Sequence, residues 1–469
     1  MPTQRFGQKP EIQHCLRDPG VMYLDTRIAI IGAGISGLSA GFRLKEAGFN
    51  PIIFEKEPYT GGRMSSEKVD GFIIDKGAYT FPEFYKNLKR FVDTLGMGKS
   101  LTQTPGSTST FSSGKHYPIE IGSPADFLKQ QLLSLKSKKD LITLYLYAQS
   151  LGKALNLNEP TPKTFQLENE SATEFLMEKY DDEEILEKIA YPIFSEMFLG
   201  VPENNSKLSF LVTLKNLTKF KIFAFNEGMG SLADRLTKEL DVRLNTQVIK
   251  IRSMGNKGPY EVDVAGVQST SLVFDAIIVA IPSTRILDIF SQFPSTVKEY
   301  VKAIQYAPSI VVALALDRRY PQASMIINLL RKDFSVLGNV IFDHHKSLNR
   351  VPEGKGLVTA ILCEKASRAL FEKPKEKVID QVLQEMDTLF PSLTDNLIFS
   401  KVYRWPCGAL QMGTGMLSRQ YSVRKELAES LDNLYLAGDG LYRSSLEVSF
   451  NTGMSAANRI IARVQSSSN

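Results

Sequence analysis

Residues 27–56 read RIAIIGAGISGLSAGFRLKEAGFNPIIFEK. Residues 27–31 are an apolar strand, the glycines that follow make a turn, and a helical pattern runs from Gly37 to Ala47 until Gly48 stops it. Residues 51–55 form the next strand. This is one βαβ unit, and its right-handed crossover places the glycine turn at the carboxyl end of a parallel sheet. Gly32 permits the tight turn, Gly34 lets the backbone approach a pyrophosphate, and Gly37 lets the helix pack closely on the sheet. Gly32, Ala33, Gly34, Ile35, Ser36 and Gly37 thus form the expected phosphate-facing turn, where free helix amides and the helix dipole favour negative charge. Glu55, followed by Lys56, ends the second strand about twenty residues on, where a carboxylate accepts hydrogen bonds from ribose hydroxyls. A carboxylate there repels a 2′-phosphate, which argues against a 2′-phosphorylated nicotinamide. A glycine turn without a ligand explains the glycines alone, but not their coincidence with strand, helix and terminal Glu55.

Around that unit the composition is that of a globular protein: 469 residues, 43% hydrophobic, enough for two or three domains. With 56 Lys+Arg against 51 Asp+Glu, the net charge of +5 is too mild for the concentrated basic footprint of a nucleic-acid binder. Cys15, Cys363 and Cys407 are few and far apart, which argues against a disulfide framework and for a reducing compartment, so a cytoplasmic location is expected. No apolar run is long enough to span a bilayer, and residues 1–26 lack the apolar centre of a signal peptide. These polar residues, with three prolines, read as a loose arm or an overlong start, with Met22 as the natural initiator. No metal site is expected: Asp343 is followed by His344 and His345, but neighbours on a strand point to opposite faces. No histidine lies beside a nucleophile elbow either.

Strand signals recur at 242–251, 260–266 and 273–281, then at 306–317, 339–343 and 357–363, with a helix near 375–390. The last strand, 434–438, leads through a glycine turn into a helix from about Ser449 to Val464. The expected fold class is α/β within an α+β whole: a discontinuous Rossmann-like domain built from 27–83, 217–295 and 425–466, with a mixed-sheet substrate domain at 296–424. Residues 84–216 read as a mostly helical insertion, with long patterns at 125–155 and 171–200. Within it, Leu128, Leu132, Leu135, Leu141, Leu144 and Tyr145 alternate with Lys129, Lys136, Lys138 and Lys139, a basic and apolar helical region that suits either domain packing or an anionic membrane surface.

After Glu55 comes KEPYTGGRMSS, where Gly61 and Gly62 offer a second close backbone approach and Arg63 can neutralise phosphate charge. Further on stand FIIDKGAYTF (72–81), LNTQVIKI (244–251), and YLAGDG (435–440) followed by LEVSFNTGMSAANRI (446–460). In motif order over residues 27–465, the chain resembles the flavin amine oxidase superfamily. The resemblance implies FAD as the cofactor, with Gly62, Arg63, Gly77 and Ala78 near the flavin and the Val248 backbone on the adenine. It implies further that Gly438 and Asp439 meet the ribityl or phosphate portion, with Val448 and Ser449 beside the isoalloxazine. A carboxylate placed between a buried strand and a helix suits ribityl hydroxyls. Asn226 and Glu227, before GMGS, are candidate flavin neighbours, with a plain turn the preferred reading.

Within the superfamily, residues 115–141, 171–210 and GMGSLADRL (228–236) resemble the protoporphyrinogen oxidases. In SIVVALALD, Val312 stands where many amine oxidases carry a lysine, which weakens that branch. The only tryptophan, Trp405 in YRWPCGALQMGTG, falls near the flavin and the substrate opening by resemblance, or is a packing anchor. The implied activity is oxidation of a small, conjugated, apolar substrate such as a tetrapyrrole by hydride transfer, with an Arg or Lys expected to clamp any carboxylates. The flavin itself does the chemistry, so no catalytic side chain is singled out. An amine oxidase, an isoprenoid or carotenoid-type desaturase, and a non-catalytic flavin-binding partner protein remain as alternatives.

Overall fold

A computed structural model describes residues 26–120, 129, 131–157, 159–216, 221–255, 258–266 and 270–467. The arm at 1–25, with His14, Cys15 and Met22, lies outside them, as do Leu128 and most of 121–130. Ile28–Ile31, Ile52–Phe54 and Ala276–Val279 join Asp241–Arg243 and Leu434–Leu436 in a five-stranded parallel sheet. The spatial order is 241–243, 52–54, 28–31, 276–279, 434–436, so three distant parts of the chain build one sheet. The central strands are short and buried on both faces, which explains their unbroken apolar runs. The helices Ile35–Glu46 and Leu446–Ser467 pack on one face. A three-stranded antiparallel sheet (247–274) and helices within 286–303 and 416–430 cover the other.

The second sheet has seven strands in the order 397–410, 306–316, 356–362, 337–342, 326–329, 107–112, 115–120. The helix Lys375–Leu389 packs on one side of it. Two expectations are corrected here. Residues 84–216 are not helical throughout: Ser107–Ser112 and Lys115–Glu120 form a hairpin that extends this sheet, and Leu101–Gln103 pairs with Ile222–Phe225. STSTFS shows no apolar alternation, because much of its bonding is polar; Thr108, for example, donates to the Ile326 carbonyl. The helix Lys86–Thr94 precedes the hairpin, and Leu135–Ser150, Ala172–Tyr180, Tyr191–Phe198 and Lys207–Asn216 follow it around a separate apolar cluster. Second, His344 and His345 are not on a strand but in a 3-10 turn, their rings 4.8 Å apart. Among the described residues no three His, Cys, Asp or Glu side chains converge as a metal site, and no helix is long and apolar enough to cross a membrane.

Candidate active site

The glycine turn is built as its residue types demand. Gly32 adopts φ +101°, and a Cβ there would lie 2.8 Å from the Ala280 carbonyl oxygen. A Cβ on Gly37 would sit 1.9 Å from the Gly32 oxygen, so only glycine lets the helix approach. Gly34 caps the helix in extended conformation with no side-chain cap and faces open space, leaving the first-turn amides of Ile35, Ser36 and Gly37 to a ligand. The Glu55 carboxylate accepts from the Ala33 amide at 2.7 Å and the Glu57 amide at 3.0 Å. Two oxygens carry about four acceptor sites, so capacity for ribose hydroxyls remains. Lys56 is exposed and pairs with Glu57. The Thr246 amide donates to the Glu55 carbonyl at 2.8 Å, which brings the Val248 strand alongside; the Val248 side chain is buried and its backbone adjoins a bulge.

A second layer of backbone lies on this turn. Gly61 bonds the Ala33 carbonyl, and the Ala78 amide bonds the Arg63 carbonyl at 2.8 Å. A Cβ on Gly77 would lie 2.4 Å from that same carbonyl, which fixes glycine there. Trp405 donates its indole N–H to the Lys76 carbonyl at 2.7 Å, anchoring the 76–78 strip. Trp405 is half-buried and packs at this strip.

Arg63 reaches across to Asp439 at 2.7 Å and to the carbonyls of Cys407 and Gly408. Asp439 also accepts from the Tyr306 hydroxyl at 2.9 Å and the Ser444 hydroxyl at 2.6 Å. Burial pushes the Asp439 carboxyl up, but the Arg63 charge and these hydrogen bonds prevail and hold it below the ordinary carboxylate range. Burial followed by the Asp439 charge raises the Tyr306 phenol well above its usual value, so it stays a donor. Gly438 has φ +105°, and its amide donates to Thr452 Oγ1 at 2.9 Å. Val448 and Ser449 are buried at the start of the last helix.

Several residues of this site escaped the sequence reading. Thr452 bonds Gly438 and lies 3.4 Å from Ser36 Oγ, while a Cβ on Gly453 would sit 2.0 Å from the Ser36 carbonyl oxygen. A glycine inside a helical pattern is the signal that would have found it. Tyr306 and Ser444 carry no such signal. Asn226 and Glu227 are taken up elsewhere: Asn226 Oδ1 accepts from Thr102, and Glu227 pairs with Lys68 and Asn349 at the surface. The turn reading holds for both. Val312 points into the apolar cluster beneath Lys375–Leu389. A lysine does lie buried near the strip, but from another element: Lys346 pairs with Asp75 at 3.3 Å and with Asp343, and Arg350 pairs with Asp75 at 2.8 Å.

The open turn, the bare helix N-terminus and the Arg63–Asp439 pair fit FAD, which would set its pyrophosphate at Gly34–Gly37, its adenosine at Glu55 and Val248, and its flavin end between Gly62–Arg63, Gly77–Ala78 and Gly438–Ser449. The model of the family described as flavin containing amine oxidoreductase matches residues 35–461. A mitochondrial protoporphyrinogen oxidase of Nicotiana tabacum is 23% identical over 94% of this chain and 95% of its own length. A coproporphyrinogen III oxidase of Bacillus subtilis is 23% identical over 88% and 93%. In fold, the chain superposes on a structure from Exiguobacterium assigned as a protoporphyrinogen oxidase (TM-score 0.76, 18% identity, 94% and 100% covered). It also superposes on a cyclohexylamine oxidase of Brevibacterium oxydans (TM-score 0.73, 16% identity, 94% and 100%). With glycine turn, Arg63–Asp439 clamp and a family match over most of its length, this chain belongs to the flavin containing amine oxidoreductases and is an FAD-dependent oxidoreductase.

Proposed function

We propose that the chain oxidises a cyclic tetrapyrrole of the porphyrinogen class. Coverage carries this reading: three porphyrinogen oxidases align over 88–94% of the chain and a fourth over 41%, whereas diapophytoene desaturases of Staphylococcus align over 16–48%. Val312 favours it over amine oxidation, as does the pairing of the buried Lys346 with Asp75 and Asp343. When bound, FAD supplies the two-electron acceptor. The chain's own residues orient it: the glycine turn holds the phosphates, Arg63 and Asp439 fix the flavin end, and Trp405 steadies the strip beside it. The substrate enters between the helices of 135–216 and the seven-stranded sheet, where packed apolar side chains exclude water.

The test is anaerobic bleaching of the yellow holoprotein by coproporphyrinogen, protoporphyrinogen, amines and diapophytoene in turn. Bleaching by a porphyrinogen is expected; bleaching by an amine or a polyene alone overturns the reading.

A second reading concerns location. Leu135, Ile142 and Leu146 are 86%, 42% and 60% exposed and share one stripe of a helix, with Lys139 also exposed. This stripe suits docking on an anionic membrane from the cytoplasmic side, where an apolar substrate partitions. Lys136 does not contribute a bare charge, because it pairs with Asp140 and Asp182.

A further inference from the structure

Glu196 lies in the last turn of the helix Tyr191–Phe198, facing the seven-stranded sheet. Its carboxyl accepts from the Tyr79 hydroxyl at 3.5 Å and is bonded by Asn328. Asn328 is held in turn by Asn339 at 2.6 Å, and its amide donates to Thr108 Oγ1 at 3.2 Å. Around this polar thread the surroundings are apolar: Ile222, Val311, Met325, Ile326, Ile341 and Ile361 cluster with Tyr79 and Leu199. Tyr79 follows Gly77 and Ala78 directly, and a Cβ on Gly408 would lie 3.1 Å from Leu199 Cδ1, while the Gly408 carbonyl accepts from Arg63. Glu196 thus lies between Tyr79, next to Gly77 and Ala78, and Leu199, which lies against Gly408.

No cation among the described residues pairs with Glu196. Lys346, 5.0 Å from the centre of the Tyr79 ring, is held by Asp75 and Asp343, and Arg350 is held by Asp75. A largely buried carboxyl without a counter-charge costs stability, so structure alone gives no reason for it. Burial raises the Glu196 carboxyl to about 7, although the Asn328 and Tyr79 hydrogen bonds pull it down. That value suits a group that must accept a proton near neutral pH.

We propose that Glu196 is the base that takes the proton released when substrate is oxidised, with Tyr79 and Asn328 positioning its carboxylate. The inference rests on the porphyrinogen reading for the identity of the proton. At a methylene bridge the C–H bond breaks and its electron pair leaves as hydride to the two-electron acceptor. A pyrrole N–H then breaks, its electron pair stays on the ring system to complete the new double bond, and its proton goes to Glu196. The substrate loses two electrons and two hydrogens, and the carboxylate becomes a carboxylic acid that releases its proton later.

Two measurements test this on the holoenzyme. The first follows the rate of anaerobic bleaching against pH in wild type, Glu196→Gln and Tyr79→Phe, with flavin spectrum and melting temperature as folding controls. Wild type should show an acidic limb near pH 7. Glu196→Gln should lose that limb and about 100-fold or more in rate with KM nearly unchanged. Tyr79→Phe, which removes a bond to the charged form, should move the limb to higher pH. The second is an infrared pH titration of the resting protein, in which a protonated-carboxyl band should disappear near neutral pH in wild type and be absent from Glu196→Gln. Unchanged rate and limb in Glu196→Gln, or no such band, overturns the proposal. If no porphyrinogen bleaches the wild type, the substrate reading falls instead. The same variants are then compared on the substrate that does bleach it, and the infrared titration, which needs none, still decides the state of Glu196.

Discussion

Arg63 and Asp439 meet at 2.7 Å across 376 residues of sequence, tying the backbone strip after the glycine turn to the loop that precedes the last helix. Both ends of the clamp are over-determined, Arg63 by two carbonyls and Asp439 by Tyr306 and Ser444. Neutralising Asp439 leaves Arg63, whose side chain is 32% exposed, without its counter-charge, at a solvent-screened cost of about 2 kcal/mol. Asp439→Asn should therefore lower stability in urea by that order and weaken FAD at least about tenfold, measured by flavin release on dilution. Undiminished flavin affinity would show that the clamp serves folding alone.

Gly453 lets the last helix lie against the first. A Cβ there meets the Ser36 carbonyl oxygen at 2.0 Å, and that backbone cannot give without disturbing the phosphate-facing turn. Gly453→Ala should cost about 1–3 kcal/mol, seen as a lower melting temperature, and should reduce FAD occupancy in the purified protein.

The quartet Asp75, Lys346, Asp343 and Arg350 carries two charges of each sign and is fully enclosed. Burial raises Asp75, but Arg350 and Lys346 hold it below its ordinary value. A carboxylate with a depressed folded-state pKa stabilises the protein above its unfolded pKa, and that stability is lost as pH falls through the folded value, so the loss belongs below about pH 4. Lys346→Met should cost about 3 kcal/mol at pH 7 and show a shallower acid slope than wild type in urea unfolding at stepped pH.

Glu196 has the opposite sign. Its folded pKa of about 7 lies above the unfolded carboxyl, so the fold prefers the neutral form. Stability falls as pH rises from about 4.5 to 7 and is level above that. Glu196→Gln should match wild type at pH 4 and exceed it at pH 8 by on the order of 2 kcal/mol, its partial exposure allowed for. Equal stability at both pH values would mean an ordinary carboxyl.

The exposed stripe Leu135, Ile142 and Leu146 is tested by vesicle flotation with anionic lipid. The triple substitution to Ser should reduce bound protein more than tenfold while leaving melting temperature unchanged, since none of the three is in the core. Failure of the wild type to float removes the membrane reading.

The βαβ unit at 27–56 was legible because each of its signals is local: a turn that needs φ above zero, a helix that needs a glycine at its closest approach, a carboxylate at a strand end. The strip Gly62–Arg63, Gly77–Ala78 and the Gly438–Asp439 turn were legible by motif order, not by geometry. The hairpin at 107–120 was not, because its strands are polar and their pairing with Ile326–Leu329 is set by distant residues. The histidine pair misled for a similar reason: Asp343–His345 turns back at the end of a strand, which only its surroundings impose.

By itself the sequence determined that this chain builds a glycine-turn nucleotide site closed at its far end by an acidic turn, since spacing and residue type fix backbone conformation within a few residues. The tertiary structure alone decided what lies around the flavin end. It brought Thr452 and Gly453 onto Ser36, Trp405 onto Lys76, Lys346 onto Asp75 and Glu196 onto Tyr79. Those meetings follow from the order in which strands enter two sheets, and no local periodicity encodes that order.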